Sequence, residues 1–527
     1  MLGGLDYFVL AGYLLLVCGI GLWASRGQRT TEDYFLGSRR IPWWAAGLSI
    51  IATETSALTF IGAPTQSLRG DWGYLQLAFG SVLARFVVAG VLIGAYYRTR
   101  VFTVYGYLEQ RFGVLSKNLA SLLFFAGRSL GSGVRLYGAA IALVVVVDMS
   151  FPLAIALIAS VAVAYTIAGG IKSVIWTDML QGILLVGGGL FALAYLLSAV
   201  GLSEFLSALS EAQVTAGGES HSKLRVLNFS LSPRESYTLL AGLVGSCFLT
   251  MATHGTDQDM IQRALTCRDA GGGRKSLWLS AFLNIPIVVI FLMIGSALWL
   301  HYGGDDGAYR VAAGIAEKAG ESDPKKGFDF IFPFYVVQEL PAGIRGLIIA
   351  AIFAAAMSSL DSAIAALSST AVTCVWEPYI APERSEAYYL RVSRGMAVLF
   401  GLVLTGIAIF VWLSKGSGGE KEGFGVLMLG LKVLTWVFPP LLGIFLVGVF
   451  TRRGSDFGNL VGILCGVGVL LLVEFWGDVF PAVRSAETGE LVPASPPWAW
   501  VWNSMIGCLL SFGLAVSFPA RRKEGMS

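Results

Sequence analysis

The chain has 527 residues, 55% of them hydrophobic and 13% charged, with a formal net charge of +3 and a mean hydropathy of +0.71. No water-soluble globular fold hides that much apolar surface, so the composition predicts a polytopic membrane protein and excludes a soluble enzyme or nucleic-acid binder. Sixty-five glycines fit helices packed in lipid, where small residues allow close backbone approach.

About 20 apolar residues cross a bilayer core, and thirteen spans are expected. In chain order they cover 5–24, 43–66, 75–96, 118–147, 151–170, 174–199, 236–256, 277–301, 344–374, 392–414, 424–449, 457–476 and 498–518. The first apolar run, Tyr7 to Ala24, is preceded by Asp6 and followed by Arg26, Arg29, Arg39 and Arg40. That charge order predicts a retained span rather than a cleaved signal peptide. The six cysteines lie in apolar segments or short loops and suggest no disulfide framework.

The second span has Thr53, Glu54, Thr55, Ser56 and Thr59 in its middle. Hydroxyls and a carboxylate weaken a lipid-facing helix, and a break there frees carbonyls and amides to bind an ion or solute. The plain alternative is hydroxyls bonded back to their own helix and Glu54 paired with a structural arginine. The fourth span carries Arg128 and Arg135, seven residues apart and so on one helical face. Either fits an anionic ligand, because a guanidinium stays charged and matches two oxygens, and either fits structural pairing with Glu54.

Asp178 lies one and a half turns into the sixth span, as the wall of a cation path or as a partner of Lys172. His254, in the seventh span, faces either a cavity or the core. In the ninth span, Ala355, Ser358, Ser359 and Ser362 recur at three and four residues and so share one side of a helix. A free carbonyl with two or three hydroxyls makes a cage for a hard cation. Asp361 beside it needs a cation, a proton or a partner at membrane depth. Arg85 and Lys432 are also intramembrane, with no role assigned by their neighbours.

Placing the N-terminus outside and the C-terminus in the cytoplasm puts the basic residues in short inside loops. The two long mixed-charge loops, 200–235 and 302–343, then lie outside. That places the protein in the inner or plasma membrane, multi-pass, as a single transmembrane domain over 1–527. Phosphate-cradling glycine loops, paired zinc ligands and a serine-histidine-aspartate constellation are not seen in the sequence, which speaks against an enzyme, an ATP-driven pump or an organic cofactor.

Five segments in this order resemble the sodium/solute symporters, the family of the sodium/glucose, iodide, sialic acid and proline transporters. They are Asp33 to Trp44, the segment around Ala52, Gly169 to Gln181, Gln258 to Arg263, and Ala355 to Ser362. The resemblance covers nearly the whole chain. It implies an all-α, leucine-transporter-like core of two inverted five-helix repeats, about 43–199 and 236–449, with extra helices at 5–24, 457–476 and 498–518.

It also implies a main sodium site from the carbonyls of Ala52, Thr55 and Ala355 and the hydroxyls of Ser358 and Ser359. Some members hold a second cation, to which Asp178, Ser358 and Ser362 correspond, with Asp361 where a further serine ligand is expected. The solute candidates are Thr53, Glu54, Ser56, Thr59, Arg128, Arg135 and His254. Glucose-type members have glutamine at Thr59 and asparagine at Glu54, so that sugar pattern is missing.

The expected function is therefore secondary active transport, the sodium-coupled symport of a small organic solute by alternating access. The solute would be an acidic sugar, a sugar or polyol, or a monocarboxylate. The expected partners are that solute, sodium ions and the bilayer, without ATP or nucleic acid. Its rivals are a solute-binding membrane sensor without flux and a proton-coupled carrier.

Overall fold

The computed structural model describes residues 2–55, 57–147, 149–216, 219–318, 323–415, 426–484, 491–492 and 494–519. It is built from helices. α1 (Gly4–Ala24) is a leucine-rich run. α2 (Trp43–Glu54) starts after Pro42 in an extended conformation, since proline's fixed φ and missing N–H suit the edge of a helix. α3 (Ala57–Arg69), α4 (Leu75–Thr99) and α5 (Val114–Val147) follow. α6 runs from Phe151 to Val200.

The expected spans 151–170 and 174–199 thus form one helical element, with no loop between them. The chain turns at Gly170, whose φ of +51° and ψ of −150° favour glycine. A Cβ there would meet the Tyr34 carbonyl and stand 2.8 Å from its ring. The sequence of helices continues with α7 (Cys247–Thr256), α8 (Gln258–Leu265), α9 (Ala270–His301), α10 (Ile344–Thr370), α11 (Glu386–Lys415), α12 (Val426–Phe450), α13 (Asp456–Glu474) and α14 (Asn503–Ser517). Among the described residues eight helices are long and apolar enough to cross a membrane, or nine if α2 and α3 make one span. The expected spans 118–147, 236–256 and 424–449 correspond to helices at Val114–Val147, Ala241–Ser246 with Cys247–Thr256, and Val426–Phe450, which lie outside that set.

Two compact units divide the chain. The first takes residues 1–75, 128–226 and 258–431. Its centre is α6 against α10, with α1 packed on both and α9 packed on α2 and α3. Every residue of α10 from Ile348 to Thr370 is buried. Alanine and serine make that helix thin enough to be surrounded by others. The second unit takes residues 76–127, 227–257 and 432–527. In it Tyr96 and Tyr105 donate to the carbonyls of Gly255 and Thr256, at 2.6 and 3.1 Å, which satisfies the end of α7. Lys432 pairs there with Glu474 at 3.3 Å, the partner the sequence did not reveal.

The two long hydrophilic segments are more ordered than their composition suggests. The first contains a helix, Leu202–Glu211, and a hairpin of β1 (Gln213–Ala216) and β2 (Glu219–Ser222), antiparallel with Gln213 opposite Ser222. The second contains helices at Gly304–Lys318 and Ile331–Glu339. The hairpin leads into Lys223, fully buried, whose Nζ donates to the carbonyls of Leu68 and Gly70 at 3.0 and 2.9 Å. It thereby caps the end of α3 with a cation, where the helix dipole favours one, and sits 4.8 Å over the Trp299 ring.

Burial pulls the Lys223 ammonium from its ordinary 10.5 down to about 8, against Asp305 and Asp71, which hold it up. An unfolded lysine keeps its proton to higher pH than the folded one. The folded state is therefore penalised below pH 8 and gains relative stability as pH rises from about 8 toward 10.5. Lys223→Met should remove that gain, seen as a flatter dependence of the thermal midpoint on pH across this window. An unchanged slope would count against Lys223 as its source.

Candidate functional site

The helix α2 stops where its polar centre predicts. Thr55 is its last hydrogen-bonded residue, donating to the Ile51 carbonyl at 2.8 Å, but its ψ of 67° has left the helical region. The pair α2 and α3 is bent by 57°. Thr59 donates its hydroxyl to the Glu54 carbonyl at 3.4 Å, a weak closure of one freed acceptor. Ala52 and Thr55 are buried and Glu54 is half-buried. Ser56 lies outside the described residues.

Facing this break is the serine run of α10. Ala355, Ser358 and Ser359 are all buried, and Ser358 Oγ lies 3.4 Å from Thr53 Oγ1. The Ser359 hydroxyl is buried with no hydrogen-bond partner. Orphaned hydroxyls in a protein interior are costly, and a hard cation answers that cost without needing a donor. Across from them α6 comes close at Gly182, where a Cβ would stand 3.0 Å from the Ala52 Cβ.

Asp178 is bound on both oxygens. Oδ1 accepts from Ser358 Oγ at 2.6 Å. Oδ2 accepts from Ser49 Oγ at 2.5 Å, from Thr53 Oγ1 at 3.3 Å and from Arg263 Nη2 at 3.1 Å. Lys172 is not its partner: that ammonium lies 5.2 Å over the Trp23 ring. Arg263 also donates through Nε to Ser49 at 2.8 Å, through Nη2 to Thr53 at 2.6 Å and through Nη1 to Asp259 Oδ1 at 3.0 Å. Arg128 completes the series by pairing with Asp259.

The result is a buried chain of alternating charge, Arg128, Asp259, Arg263 and Asp178, drawn from α5, α8 and α6. Its four side chains are at most 2% exposed. Burial of charge at this depth is tolerated when each ion is paired and hydrogen-bonded, and Ser49, Thr53 and Ser358 supply those further bonds to Asp178 and Arg263.

Asp361 differs. It is fully buried, and Oδ2 accepts from the Tyr165 hydroxyl at 2.5 Å. Oδ1 has no hydrogen-bond partner, and no cation pairs with it among the described residues. Ser362 donates to the Ser359 carbonyl at 3.3 Å. Beside this group Gln181 donates to Tyr13 at 3.3 Å.

Of the solute candidates, Thr53 and Arg128 are committed to the charged chain, Thr59 closes the helix break, and Arg135 is half-buried on α5. His254 is buried in the second unit, 3.1 Å from Thr253 Oγ1.

Arg263 and Asp259 were missed as site residues, because a sequence reading places them in a loop beyond the seventh span. Both are buried on α8. The signal was present in the alternation of charges from Asp257 to Arg263, which a solvated loop does not need.

A helix broken at membrane depth, facing hard oxygen donors on a second buried helix, defines an ion-coupled secondary transporter. A family model described as the sodium:solute symporter family matches residues 34–466. The sodium/sialic acid symporter NanT of Aliivibrio fischeri is 30% identical over 482 residues, 90% of this chain and 89% of that protein. The solved structure of a sodium-coupled sialic acid symporter, substrate-bound and outward-open, superposes with a TM-score of 0.81 at 26% identity, over 99% of each chain. MhsT, solved with L-phenylalanine, gives 0.51 at 14% identity over 90% of this chain and 99% of that one, a likeness of fold alone.

The chain belongs to the sodium:solute symporter family. It is a multi-pass membrane transporter of leucine-transporter-like fold, and sodium is its coupling ion.

Two variants test the geometry. Arg263→Gln leaves Asp178 and Asp259 buried short of a cation, and should cost about 3–5 kcal/mol, read as a lower thermal midpoint of the purified protein. Adding Asp178→Asn should recover part of it, and no recovery would mean that the pair is not the source. Gly182→Ala should cost about 1–3 kcal/mol by overpacking against Ala52 and weaken the stabilisation given by sodium chloride over potassium chloride. A variant matching the parent in both salts would show that α6 yields freely there.

Proposed function

We propose that the ion site consists of the carbonyls of Ala52, Thr55 and Ala355 with the hydroxyls of Ser358 and Ser359, and that the solute carried with sodium is an acidic sugar of the sialic acid kind. The observation that carries the ion site is the buried, unpartnered Ser359 hydroxyl beside a helix break. Sodium there would tie α2 to α10 and favour the solute-competent state, because a ligand shifts a conformational equilibrium by its differential affinity for the two states. By reciprocity the solute then tightens sodium by the same factor.

The solute class draws support from relatives named as sialic acid symporters and from the arginines of α5. Arg128 and Arg135 share one face of α5, and we assign contact with a solute carboxylate to that face. The N-terminus is read as outside and the C-terminus as cytoplasmic, on the distribution of basic loops.

Proteoliposomes given an inward sodium gradient should accumulate labelled N-acetylneuraminate and should fail to do so in potassium. Ser359→Ala should raise the sodium concentration for half-maximal uptake about tenfold, the scale of a hydrogen-bond-strength contact to a charged group. Equal uptake in both salts would refute sodium coupling through this site. Sodium-dependent uptake of a monocarboxylate in place of the sugar acid would move the solute class. Binding without flux would favour a sensor.

A further inference from the structure

One concentration of charge lies outside the transport site. Where the turn before α2 meets the start of α9, Arg39, Arg40, Arg268 and Lys275 line a cavity of about 390 Å³. The one carboxylate of the lining, Asp269, is engaged: its Oδ1 accepts from Gly272 N at 2.8 Å as the N-cap of α9. Arg39 is paired with Glu32 at 3.2 Å. Arg40, Arg268 and Lys275 have no side-chain hydrogen bond or ion pair among the described residues. Three cations around one cavity repel each other, and an anion between them is the simplest way to offset that repulsion.

The walls are fixed without a ligand. Ile41 donates its amide to the Thr266 carbonyl at 3.2 Å, which ties the two sides together. Ile41 and Cys267 belong to one buried apolar cluster with Ala45, Ile175 and Ala365.

Neighbouring aromatic rings give the depth. Trp176 stacks edge-on with Trp23 and Trp44, at 6.1 and 5.8 Å between centroids, and the Lys172 ammonium lies over Trp23. Trp43, which lines the cavity, and Trp44 remain 41% and 40% exposed at the first turn of α2. Tryptophans beside a lysine at the end of a span mark the level of the lipid headgroups.

We propose that this cavity binds the phosphate of an anionic phospholipid, a phosphodiester anion held by Arg40, Arg268 and Lys275. Such pockets, basic and placed between helices at headgroup depth, recognise charge at a fixed position rather than a particular acyl chain. The apolar cluster beneath includes α2 and α10, so a bound headgroup would brace the first half of the broken helix. This site is independent of the sodium ligands and of the solute class, and stands if either is revised.

The test is native mass spectrometry of the delipidated full chain in detergent, titrated in separate arms with phosphatidylglycerol, phosphatidylcholine and inorganic phosphate. The expected result is retention of phosphatidylglycerol over phosphatidylcholine, with an affinity about tenfold or more lower in the triple variant Arg40→Gln, Arg268→Gln, Lys275→Gln. Removing three exposed cations elsewhere, as Arg26→Gln, Arg29→Gln, Arg452→Gln, should leave retention unchanged.

Equal retention by the triple variant, equal loss in the control, or equal binding of phosphatidylcholine would each overturn the proposal. Binding of inorganic phosphate at these residues without retention of phosphatidylglycerol would assign the cavity to a soluble anion instead. Should the triple variant fail to fold, Arg268→Gln alone decides, with a several-fold loss expected and no loss refuting the site.

Discussion

The first unit depends on how it keeps charge inside a membrane. Arg128, Asp259, Arg263 and Asp178 form a line in which every ion has an opposite neighbour and the line as a whole is neutral. At low dielectric an isolated ion of this kind would neutralise itself or draw in water, and alternation of charge makes burial tolerable. The constraint reaches outward. It fixes Ser49 and Thr53 on α2 and Ser358 on α10 as donors or acceptors to the line, and so ties together the two helices that carry the oxygens of the proposed ion site.

Within that frame Ser358 and Ser359 divide the work although they are adjacent. Ser358 is held by Asp178, while Ser359 is buried without a partner. The first ties α10 to the charged line, and the second is the hydroxyl that the proposed ion site uses. Asp361 has no paired cation among the described residues, and its Oδ2 accepts from the Tyr165 hydroxyl. Two carboxylates in one region therefore have different surroundings, one neutralised by arginine and one held by a tyrosine hydroxyl, and different environments separate the roles of like groups.

The long segments between spans show the same economy. Their polar composition hid short helices and a hairpin, because each has only one or two turns' worth of apolar residues to bury. Lys223 gives its segment a fixed attachment, with its ammonium buried against the last carbonyls of α3. The second half of the broken helix is thereby capped from a part of the chain more than 150 residues away.

Much of this was legible beforehand. Composition decided that the protein lives in a membrane, because apolar surface on this scale has no other place. Apolar length located the helices broadly, although α9 and α11 begin about seven and six residues earlier than expected. The polar centre of the second span located the break, since threonine, serine and glutamate there cannot all serve one continuous helix in lipid. The serines of α10 were readable from their three- and four-residue spacing.

What the linear chain did not disclose was pairing. Asp178 had a cation six residues away in Lys172, yet its partner is Arg263, 85 residues on; Arg128 answers Asp259, on another helix. Ion pairing at membrane depth is decided by which side chains share a dry interior. That is a property of helices packed in three dimensions, which spacing along one helix cannot encode.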